Sequence, residues 1–370
     1  MIERKLRVGI LFGGRSGEHE ISLLSARSIV DALDRNRYEP VLIGIDPAGR
    51  WHLNDAAHAL LAPPGAPLHL DATAPSVAVS PGDASTALTT ASAAPAVGTL
   101  DVVFPVLHGT YGEDGTVQGL LEMADVPYVG SGVLGSSAGM DKDVAKRLLR
   151  SAGLPVVDWF VVRSHENRSS EDVAREVEKR FGWPVFVKPA NMGSSVGVSK
   201  ARRREELAAA LANAFKYDTK LLIERGHAVR ELECGVLGND APLASVVGEI
   251  VPTHEFYSYT AKYLDENGAH PRIPAAIREE QSEAIRRMSE EAFAALELSG
   301  LARVDFFLDK SDGALYLNEV NTLPGFTSIS MYPKLWEATG VPYATLIERL
   351  IALALERAAT RRALSTSFAP

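Results

Sequence analysis

The strongest constraint on the fold is the stretch LARVDFFLDKSDGALYLNEVNTLPG, residues 301–325. It contains two mainly apolar runs, Ala302–Leu308 and Ala314–Val320, joined by the turn Lys310–Gly313. Because Asp-Gly between two such runs is a strong turn signal, the pattern predicts a β-hairpin. Side chains alternate between the faces of a strand, which directs one apolar set into a core: Val304, Phe306 and Leu308.

The other face of this hairpin is predicted to be polar. Arg303 and Asp305 share it on the first strand, and Glu319 and Asn321 share it on the second. Two carboxylates and an amide provide oxygen ligands only, which suits Mg²⁺ held together with substrate phosphates. From the residues alone, a half-exposed hairpin with a surface salt bridge remains the alternative.

Composition limits the classes of protein. A chain of 370 residues is expected to form two or three domains, and 46% hydrophobic with 23% charged residues is typical of a globular protein. The net charge of −9 argues against a nucleic-acid or anionic-membrane partner, although a local basic pocket for phosphates is compatible with it. An apolar run of about 18 residues is lacking, and the single cysteine, Cys234, excludes an intrachain disulfide and a thiolate cluster. We expect a cytoplasmic protein.

The N-terminal pattern is βαβ. A strand at Arg7–Phe12, a helix at about Ile21–Leu33 and a strand at Tyr38–Ile45 predict a parallel sheet. In the glycine-rich loop after the first strand, the carboxylate of Glu18 would repel an anion and attract an ammonium group. Residues 55–98 are rich in Ala, Pro, Ser and Thr, so we interpret them as a surface insertion with little contribution to the core.

A buried strand at Leu100–Leu107 ends at His108. Functional groups in open α/β sheets gather beyond the carboxyl ends of strands, which makes His108 a candidate site residue. A lone histidine is as often structural, so both interpretations stay open at this point.

The motif GxGxxG occurs at Gly130–Gly135, after a predicted strand at Val126–Val129. It imitates a dinucleotide-binding fingerprint and leaves a dehydrogenase as an alternative. Two features weaken it: the next helix is predicted to start at about Asp141, and the acidic residue Asp158 lies at the start of its strand rather than the end.

A second loop follows the strand Val185–Lys188 and contains GxSxG at Gly193–Gly197. A hydrolase nucleophile elbow needs a strand that enters the first glycine and a helix that starts at once. Here five residues intervene and the helix is expected only near Arg202, which argues against a serine hydrolase. The amides of a Gly/Ser loop, with the charge of Lys188, suit phosphate oxygens instead.

The remaining pattern alternates strands, loops and helices. Strands are predicted at Lys220–Glu224, Glu231–Leu237 and Ser245–Val251, and helices at Glu279–Leu298 and Tyr343–Ala359. Glu224 and Glu231 are candidates to bind a nucleoside, although surface charges at a domain link would look the same. The long aromatic and polar segment 252–274 is typical of an active-site lid, with Lys262 and Tyr263 as its candidate working residues.

Taken together, seven segments resemble D-alanine–D-alanine ligases of the ATP-grasp superfamily: GGRSGEHEIS, FPVLHGTYGEDGTVQG, YVGSGVLGSSAGMDK, VFVKPANMGSSVGVSK, FYSYTAKY, ARVDFF and LNEVNTLPGFTS. The resemblance implies a mixed α/β ATP-grasp fold with three domains. These would be a Rossmann-like parallel α/β domain at 1–130, a central α+β domain at 131–228, and a C-terminal domain with an antiparallel sheet at 229–370. ATP would bind between the second and the third.

The implied reaction joins two D-alanines through an acyl phosphate, with hydrolysis of ATP to ADP, for peptidoglycan synthesis. Two Mg²⁺ ions, with Mn²⁺ as a substitute, and a homodimer are expected from the same resemblance. Within the superfamily, a ligase that takes D-lactate, D-serine or L-amino acids is the alternative. A non-catalytic nucleotide-binding module is the alternative from another class.

The resemblance also implies residue roles. The metal ligands would be Asp305, Glu319 and Asn321. ATP would be bound by Lys142, Lys188, Ser194, Ser195, Glu224, Glu231, Lys262 and Asn318. The substrates would be bound by Glu18, His108, Arg303 and Ser330. The catalytic set would be Glu18, Ser194, Tyr263, Arg303, Gly325 and Ser330, with Glu18, Ser194 and Tyr263 linked by hydrogen bonds that hold the lid shut. Tyr263 favours D-alanine over D-lactate as the second substrate.

Overall fold

The computed structural model describes residues 4–55, 66–80, 88–90, 98–252, 269–327 and 329–365. Within this part of the chain the helices and strands are numbered in chain order. No single helix there is long and apolar enough to cross a membrane. Two helices near the C-terminus, which form a bent pair at 104°, reach the required length and composition only when taken together.

The first sheet has the strand order β3-β2-β1-β6. Its strands are β1 (Leu6–Gly13), β2 (Tyr38–Ile45), β3 (Trp51–Asn54) and β6 (Val102–Pro105). β1 runs parallel to β2 and β6, as the βαβ pattern predicts, and helix α1 (His19–Ala32) packs on β1. The predicted strand Val126–Val129 is wrong, since this segment makes only an isolated bridge between Tyr128 and Val103.

Part of segment 55–98 packs more closely than expected. Strands β4 (Val77–Val79) and β5 (Leu88–Thr90) form a small antiparallel sheet. Leu68 and Val77 are buried in two hydrophobic clusters of the N-terminal region. The described part of the segment therefore contributes to the core, because even a Pro- and Ala-rich stretch can bury an occasional large apolar residue, Val77 from a strand and Leu68 from irregular structure.

Three helices follow the first sheet: α2 (Thr116–Met123), α3 (Val133–Met140) and α4 (Lys142–Ser151). The helix predicted to start at about Asp141 is confirmed as α4, with Asp141 as its N-cap, but the sequence interpretation missed α3, which starts within the GxGxxG motif at Val133. Two glycines of α3, which weaken helix propensity, are needed for close packing. A Cβ on Gly135 would lie 2.6 Å from the carbonyl oxygen of Glu297, and one on Gly139 would lie 2.8 Å from a methyl group of Thr322.

The central sheet is antiparallel and has the order β7-β10-β8-β9. Its strands are β7 (Trp159–Arg163), β8 (Val185–Pro189), β9 (Ser199–Ala201) and β10 (Lys220–Arg225). Helices α5 (Ser170–Arg180) and α6 (Arg204–Ala214) share a hydrophobic cluster with it. Between β8 and β9 the loop 191–198 makes turns and no helix starts at the GxSxG motif, which removes the geometry of a hydrolase elbow.

The C-terminal sheet is antiparallel and has the order β13-β12-β11-β14-β15. Its strands are β11 (Val229–Gly238), β12 (Leu243–Pro252), β13 (Ala269–Arg272), β14 (Gly300–Asp309) and β15 (Leu315–Asn321). β13 lies within the segment that the sequence predicts as a lid loop. Helix α7 (Glu279–Ala295) packs against β11, β12 and β14, while α8 (Met331–Ala338) contacts β11 and β12. The last helix, α9 (Tyr343–Arg362), packs on α1 and β6 of the N-terminal region.

The predicted hairpin of β14 and β15 is confirmed, with one irregularity. Asp305 pairs with Glu319, whereas the next residue, Phe306, pairs with Leu317. Asn318 is therefore the extra residue of a β-bulge. Strict alternation would put Leu317 on the polar face with Glu319, but the bulge allows Leu317 to be fully buried in the core.

Candidate functional site

The polar face of the C-terminal sheet is the centre of the site. Arg303 pairs with Asn321 and Asp305 with Glu319, so these four side chains share one face, as the alternation predicts. On the neighbouring strand β11, Glu233 pairs with Asp305 and extends the same face. The opposite face carries Val304, Phe306 and Leu308, which are buried as predicted.

Arg303 is held by two carboxylates. Its Nε donates to Asp305 Oδ1 at 2.7 Å and its Nη2 to Asp305 Oδ2 at 2.7 Å. Its Nε also lies 2.9 Å from Glu233 Oε2. Burial alone would lower the pKa of the guanidinium, but Asp305 and Glu233 raise it well above its usual value. Arg303 is thus a permanent cation with a fixed orientation.

The donor set around Asp305 fits Mg²⁺. The carboxylates of Asp305 and Glu319 are cross-strand neighbours, and Asn321 Nδ2 donates to Asp305 Oδ2 at 2.9 Å. Among the described residues, no group of three or more His, Cys, Asp or Glu side chains is arranged so that it could hold a metal ion by itself. Asn321 can complete a set of three oxygen donors, and such a set is the usual environment of a hard cation that also contacts phosphates.

Lys142 approaches this face from the start of α4. Its Nζ donates to the carbonyl oxygen of Met192 at 2.7 Å and lies 3.5 Å from Glu319 Oε2. A small cavity is lined by Lys142, Gly193 and Asn321. Two of the predicted metal ligands, Glu319 and Asn321, therefore face the same space as the Gly/Ser loop.

Lys188 projects from β8 towards the same region. Its Nζ lies 2.5 Å from Glu224 Oε2 and donates to Asn318 Oδ1, in the bulge, at 3.3 Å. Glu224 also lies 3.1 Å from the Nζ of Lys146, a buried lysine that the sequence interpretation missed. Lys146 follows Lys142 by one helical turn, and this i,i+4 spacing was the available signal. Half-buried Glu231, on β11, is close enough for its charge to help raise the pKa of Lys188.

The Gly/Ser loop is conformationally unusual. Ser194 and Ser195 both adopt the left-handed region, with φ of 49° and 59°. Each such residue costs about 1–3 kcal/mol, and such conformations are concentrated at functional sites. The hydroxyl of Ser194 donates to a carboxylate oxygen of Glu18, so the predicted link between these two residues is present. The third predicted member, Tyr263, and the lid residue Lys262 lie outside the described residues.

Glu18 is closely enclosed by backbone. It lies at the N-terminus of α1, after the glycine loop that ends β1. A Cβ on Gly109 would be 3.0 Å from Glu18 Oε2, and one on Gly193 would be 3.2 Å away. A side chain at either position would crowd the carboxylate, so loops from the first and the central sheets meet at Glu18.

His108 is buried between the N- and C-terminal regions. Its Nε2 lies 3.3 Å from the hydroxyl of Ser25, on α1, and its Nδ1 lies 3.3 Å from the carbonyl oxygen of Leu323 and 3.8 Å from Glu113 Oε1. Burial lowers the pKa of His108, but Glu113 and Glu18 outweigh this and raise it. Burial and the charge of Glu18 raise the pKa of Glu113 as well. The sequence interpretation missed Glu113, which follows His108 by five residues.

Gly325 and Ser330 lie next to each other. Ser330 precedes α8, and its hydroxyl accepts from the amide of Thr327 at 3.1 Å and lies 2.7 Å from the hydroxyl of Thr327. A Cβ on Gly325 would be 3.0 Å from Ser330 Oγ. The loop thus places a backbone amide and a hydroxyl near a helix N-terminus, which favours a negatively charged group.

Comparison with protein families finds two matches that together cover most of the chain. Residues 7–131 match the D-ala D-ala ligase N-terminus, and residues 148–352 match the D-ala D-ala ligase C-terminus. D-alanine–D-alanine ligase A from Chromobacterium violaceum is 53% identical over 364 residues, 98% of this chain and 99% of that protein. D-alanine–D-alanine ligase A from Escherichia coli strain K12 is 52% identical over 365 residues, 98% of this chain and 100% of that protein.

Solved structures agree with the sequence relatives. The D-alanine-D-alanine ligase from Coxiella burnetii superposes with a TM-score of 0.84 at 38% identity, covering 97% of this chain and 96% of that one. The VanG D-Ala:D-Ser ligase from Enterococcus faecalis has a TM-score of 0.83 at 34% identity, covering 95% and 100%. The mixed α/β architecture is therefore the ATP-grasp fold of these ligases, and the chain belongs to the D-alanine–D-alanine ligase family.

Proposed function

We propose that this protein joins two molecules of D-alanine to D-alanyl-D-alanine, with hydrolysis of ATP to ADP and phosphate, for cell-wall synthesis. One observation carries the proposal: in a chain of the ligase family, Glu319, which shares a sheet face with Asp305 and Asn321, lies 3.5 Å from the ammonium group of Lys142, and Lys188 reaches Asn318 in the adjoining bulge. The oxygen donors suit a divalent cation, and the ammonium groups suit the phosphates of a nucleoside triphosphate.

The chemistry explains why ATP is needed. A carboxylate is a poor acyl donor at neutral pH, so the γ-phosphoryl group is first transferred to a carboxylate oxygen of one D-alanine, and ADP leaves. The amine of the second D-alanine then attacks this acyl phosphate. A C–N bond forms, the C–O bond to phosphate breaks, and the amine loses a proton as phosphate leaves.

Nucleotide binding is assigned to residues around the lysines. Lys142 and Lys188 would bind phosphate oxygens, with the loop residues Ser194 and Ser195 close to them and Lys262 added from the lid. Asn318, Glu224 and Glu231 would complete the ATP site, the two glutamates on the adenosine side. Mg²⁺, held by Asp305, Glu319 and Asn321, would neutralise phosphate charge. Two ions, and replacement by Mn²⁺, are part of the proposal.

Substrate binding is assigned to the loops that meet this face. Glu18 would bind the ammonium group of the first D-alanine, close to His108, and would link to Ser194 and Tyr263 when the lid is shut. Arg303 and the amide of Gly325 would stabilise the oxyanion of the tetrahedral intermediate. Ser330 would bind the carboxylate of the second D-alanine. The permanent charge of Arg303 and the closeness of Gly325 to Ser330 support these roles.

D-serine as second substrate is the alternative with support, because the VanG D-Ala:D-Ser ligase has the same fold at 34% identity. The D-alanine–D-alanine ligases at 52–53% identity make D-alanine the better proposal. D-lactate and L-amino acids rank below both.

The test is phosphate release from Mg-ATP with single amino acids, with product analysis by mass spectrometry. We expect release that requires D-alanine and yields D-alanyl-D-alanine. A dipeptide that forms only when D-serine is added, or a depsipeptide formed in preference near neutral pH, would overturn the substrate assignment. Nucleotide binding without turnover of any amino acid would favour a binding module.

We also propose a homodimer formed by the N-terminal region. Among the described residues, Tyr111, Leu120 and Met123 are exposed apolar side chains at a cavity of about 580 Å³. Exposed Val133 and Leu134 begin the adjacent helix α3, and Val133 lies near Gly119 of the cavity wall. Apolar patches of this kind are typical of interfaces. Light scattering should give a dimer, and Met123→Glu should shift it to monomer, whereas a monomeric unaltered protein would exclude the dimer.

Three domains, at 1–130, 131–228 and 229–370, are proposed as the units that close around ATP. The division is supported by one main sheet in each segment. Limited proteolysis with and without ADP should cut first near 131 and 229 if these are the boundaries.

A cytoplasmic location is proposed because both substrates, ATP and D-alanine, are used there.

A further inference from the structure

A buried group of three charged side chains lies behind the proposed phosphate site: Lys146, Glu224 and Lys188, here called the Lys–Glu–Lys group. The exposed fractions of their side chains are 1%, 2% and 12%. Glu224 Oε1 lies 3.1 Å from Lys146 Nζ, and Glu224 Oε2 lies 2.5 Å from Lys188 Nζ. One carboxylate is therefore shared between two ammonium groups.

The two lysines differ in what else they meet. Lys146 Nζ donates to the carbonyl oxygen of Val157 at 3.4 Å and lies 5.7 Å from the centre of the Trp159 ring. Lys146 is almost completely buried, and it lies one helical turn beyond Lys142 on the same face of α4. Lys188 instead reaches Asn318, in the bulge next to Glu319. Lys146 closes the buried side of the group, and Lys188 lies on the open side.

The charges of the group sum to +1, from two lysines and one glutamate. If Lys146 were absent, Glu224 and Lys188 would form a neutral pair in a poorly solvated place. A phosphate oxygen would then compete for Lys188 with a carboxylate that has no other cationic partner in the described part of the chain. Because electrostatic interactions are strong where water is excluded, such competition would weaken phosphate binding considerably.

We propose that Lys146 is a positioning residue for the nucleotide: it neutralises Glu224, so that the positive charge of Lys188 is not offset by Glu224 and is available to phosphate. The inference rests on the proposed function, since it takes Lys188 as a ligand of ATP. It adds a residue that does not touch the nucleotide and acts only through Glu224.

The pKa shifts agree with this geometry. Burial raises the pKa of Glu224, but Lys146 and Lys188 outweigh it and lower the value, so the carboxylate is ionised. Burial lowers the pKa of Lys146 against the opposing effect of Glu224. Burial also lowers the pKa of Lys188, but Glu224, Glu319 and Glu231 raise it overall. The lysine on the open side is thus the more strongly protonated of the two.

The first variant is Lys146→Met, which keeps most of the length of the side chain and removes its charge. We expect ADP to bind roughly tenfold more weakly by calorimetry, about 1.4 kcal/mol, with and without Mg²⁺. The KM for ATP should rise by a similar factor, while kcat changes by less than about threefold, since binding rather than the chemical step is affected. Unchanged ADP affinity in a folded Lys146→Met protein would overturn the proposal.

The decisive variant is the double substitution Lys146→Met/Glu224→Gln. It removes the carboxylate that competes for Lys188. Because Glu224 is also assigned to the adenosine side, the affinity of both variants is measured with inorganic pyrophosphate, which has no adenosine, and it should recover in the double variant relative to Lys146→Met. A merely structural role of Lys146 predicts the opposite, because the losses from two buried substitutions would add. A double variant that binds pyrophosphate no better than Lys146→Met would therefore also overturn the proposal.

Arg150→Met is the matched control. Arg150 lies one turn further along α4 and carries the same charge, but its side chain is half exposed and pairs with Asp158. Its loss should leave ADP affinity within about twofold of the unaltered protein. If Arg150→Met weakens ADP binding as much as Lys146→Met, the effect comes from the total positive charge of α4 and not from the contact with Glu224. This result would overturn the role of Lys146. If the unaltered protein binds ADP but forms no dipeptide, the proposed reaction fails while this inference is still tested by affinity.

Discussion

Two buried groups of lysines and carboxylates lie against helix α4, and they differ in their balance of charge. The Lys–Glu–Lys group has two lysines and one carboxylate. The second group, here called the Asp–Lys–Asp group, consists of Lys220, Asp141 and Asp143. Lys220 Nζ lies 2.5 Å from Asp141 Oδ2 and 3.5 Å from Asp143 Oδ2. One group thus has a surplus cation and the other a surplus anion.

The carboxylates of the Asp–Lys–Asp group have structural partners. Asp141 is the N-cap of α4 and accepts from the amides of Asp143 and Val144, each at 3.1 Å. Asp143 accepts from the indole nitrogen of Trp159 at 3.0 Å and lies 3.2 Å from Arg147. The surplus negative charge is therefore used at the positive end of a helix and by neighbouring donors.

Residue type alone therefore does not distinguish a group of charges that binds a ligand from one that stabilises the fold. Both contain buried lysines with ion-pair distances near 2.5 Å. The two groups differ in whether an unbalanced charge faces the proposed ATP site. In the Lys–Glu–Lys group this charge is on Lys188, and in the Asp–Lys–Asp group the surplus charge is taken up by α4.

The largest expected effect is that of Lys188→Met on activity. It removes the cation assigned to phosphate and leaves Glu224 paired with Lys146, so the fold should persist. We expect kcat/KM for ATP to fall by about 10²–10³, a magnitude typical for loss of one group that stabilises developing charge. Steady-state kinetics with thermal unfolding as a control will measure this, and activity within fivefold of the unaltered protein would place Lys188 outside the site.

Lys220→Met should affect stability rather than activity. It leaves Asp141 and Asp143 buried without their shared cation, and breaking a buried pair in this way costs about 3–5 kcal/mol. Urea unfolding should show the loss, while kcat/KM per folded molecule stays within a few-fold. A variant with unaltered stability and lost activity would remove the contrast between the two groups.

Asp141 allows the cap to be separated from the ion pair. Asp141→Asn keeps a side-chain oxygen for the end of α4 but loses the charge, whereas Asp141→Ala loses both. We expect Asp141→Ala to be less stable than Asp141→Asn by about 1 kcal/mol, the usual value of an N-cap. Equal free energies of unfolding would mean that only the charge matters.

The last prediction concerns Asp309, a buried carboxylate at the end of β14 that is paired with His227. Hydrogen bonds from Ser311 and from His227, 2.7 Å away, lower the pKa of Asp309 from 3.8 to about 2. A lowered folded pKa gives stability that is present above 3.8 and is lost as the pH falls towards about 2. Asp309→Asn should remove this part of the pH dependence between pH 4 and 2. If the free energy of unfolding of Asp309→Asn falls as steeply between pH 4 and 2 as that of the unaltered protein, Asp309 is not the group responsible for this pH dependence.

Sequence patterns alone predict a substantial part of this fold. Alternation of apolar and polar residues identifies β14 and β15 and places Arg303, Asp305, Glu319 and Asn321 on one face, because a strand has a fixed period of two. The βαβ pattern predicts the parallel pairing of β1 with β2. The family resemblance adds the residue roles, which stay predictions, and those of Lys262 and Tyr263 lie outside the described residues.

What only the tertiary structure decided depends on contacts between distant segments. The bulge at Asn318 lets Leu317 enter the core, and the glycines of α3 leave room for the backbone near Glu297. Neither feature can be predicted from the periodicity of the local sequence. Lys146 and Glu224 are 78 residues apart in sequence, and they meet only because the fold brings α4 and β10 within reach of each other's side chains. Burial then turns a surface-type charge pair into a strongly coupled one. Local patterns determined which side chains share a face, and packing decided which charges share a partner.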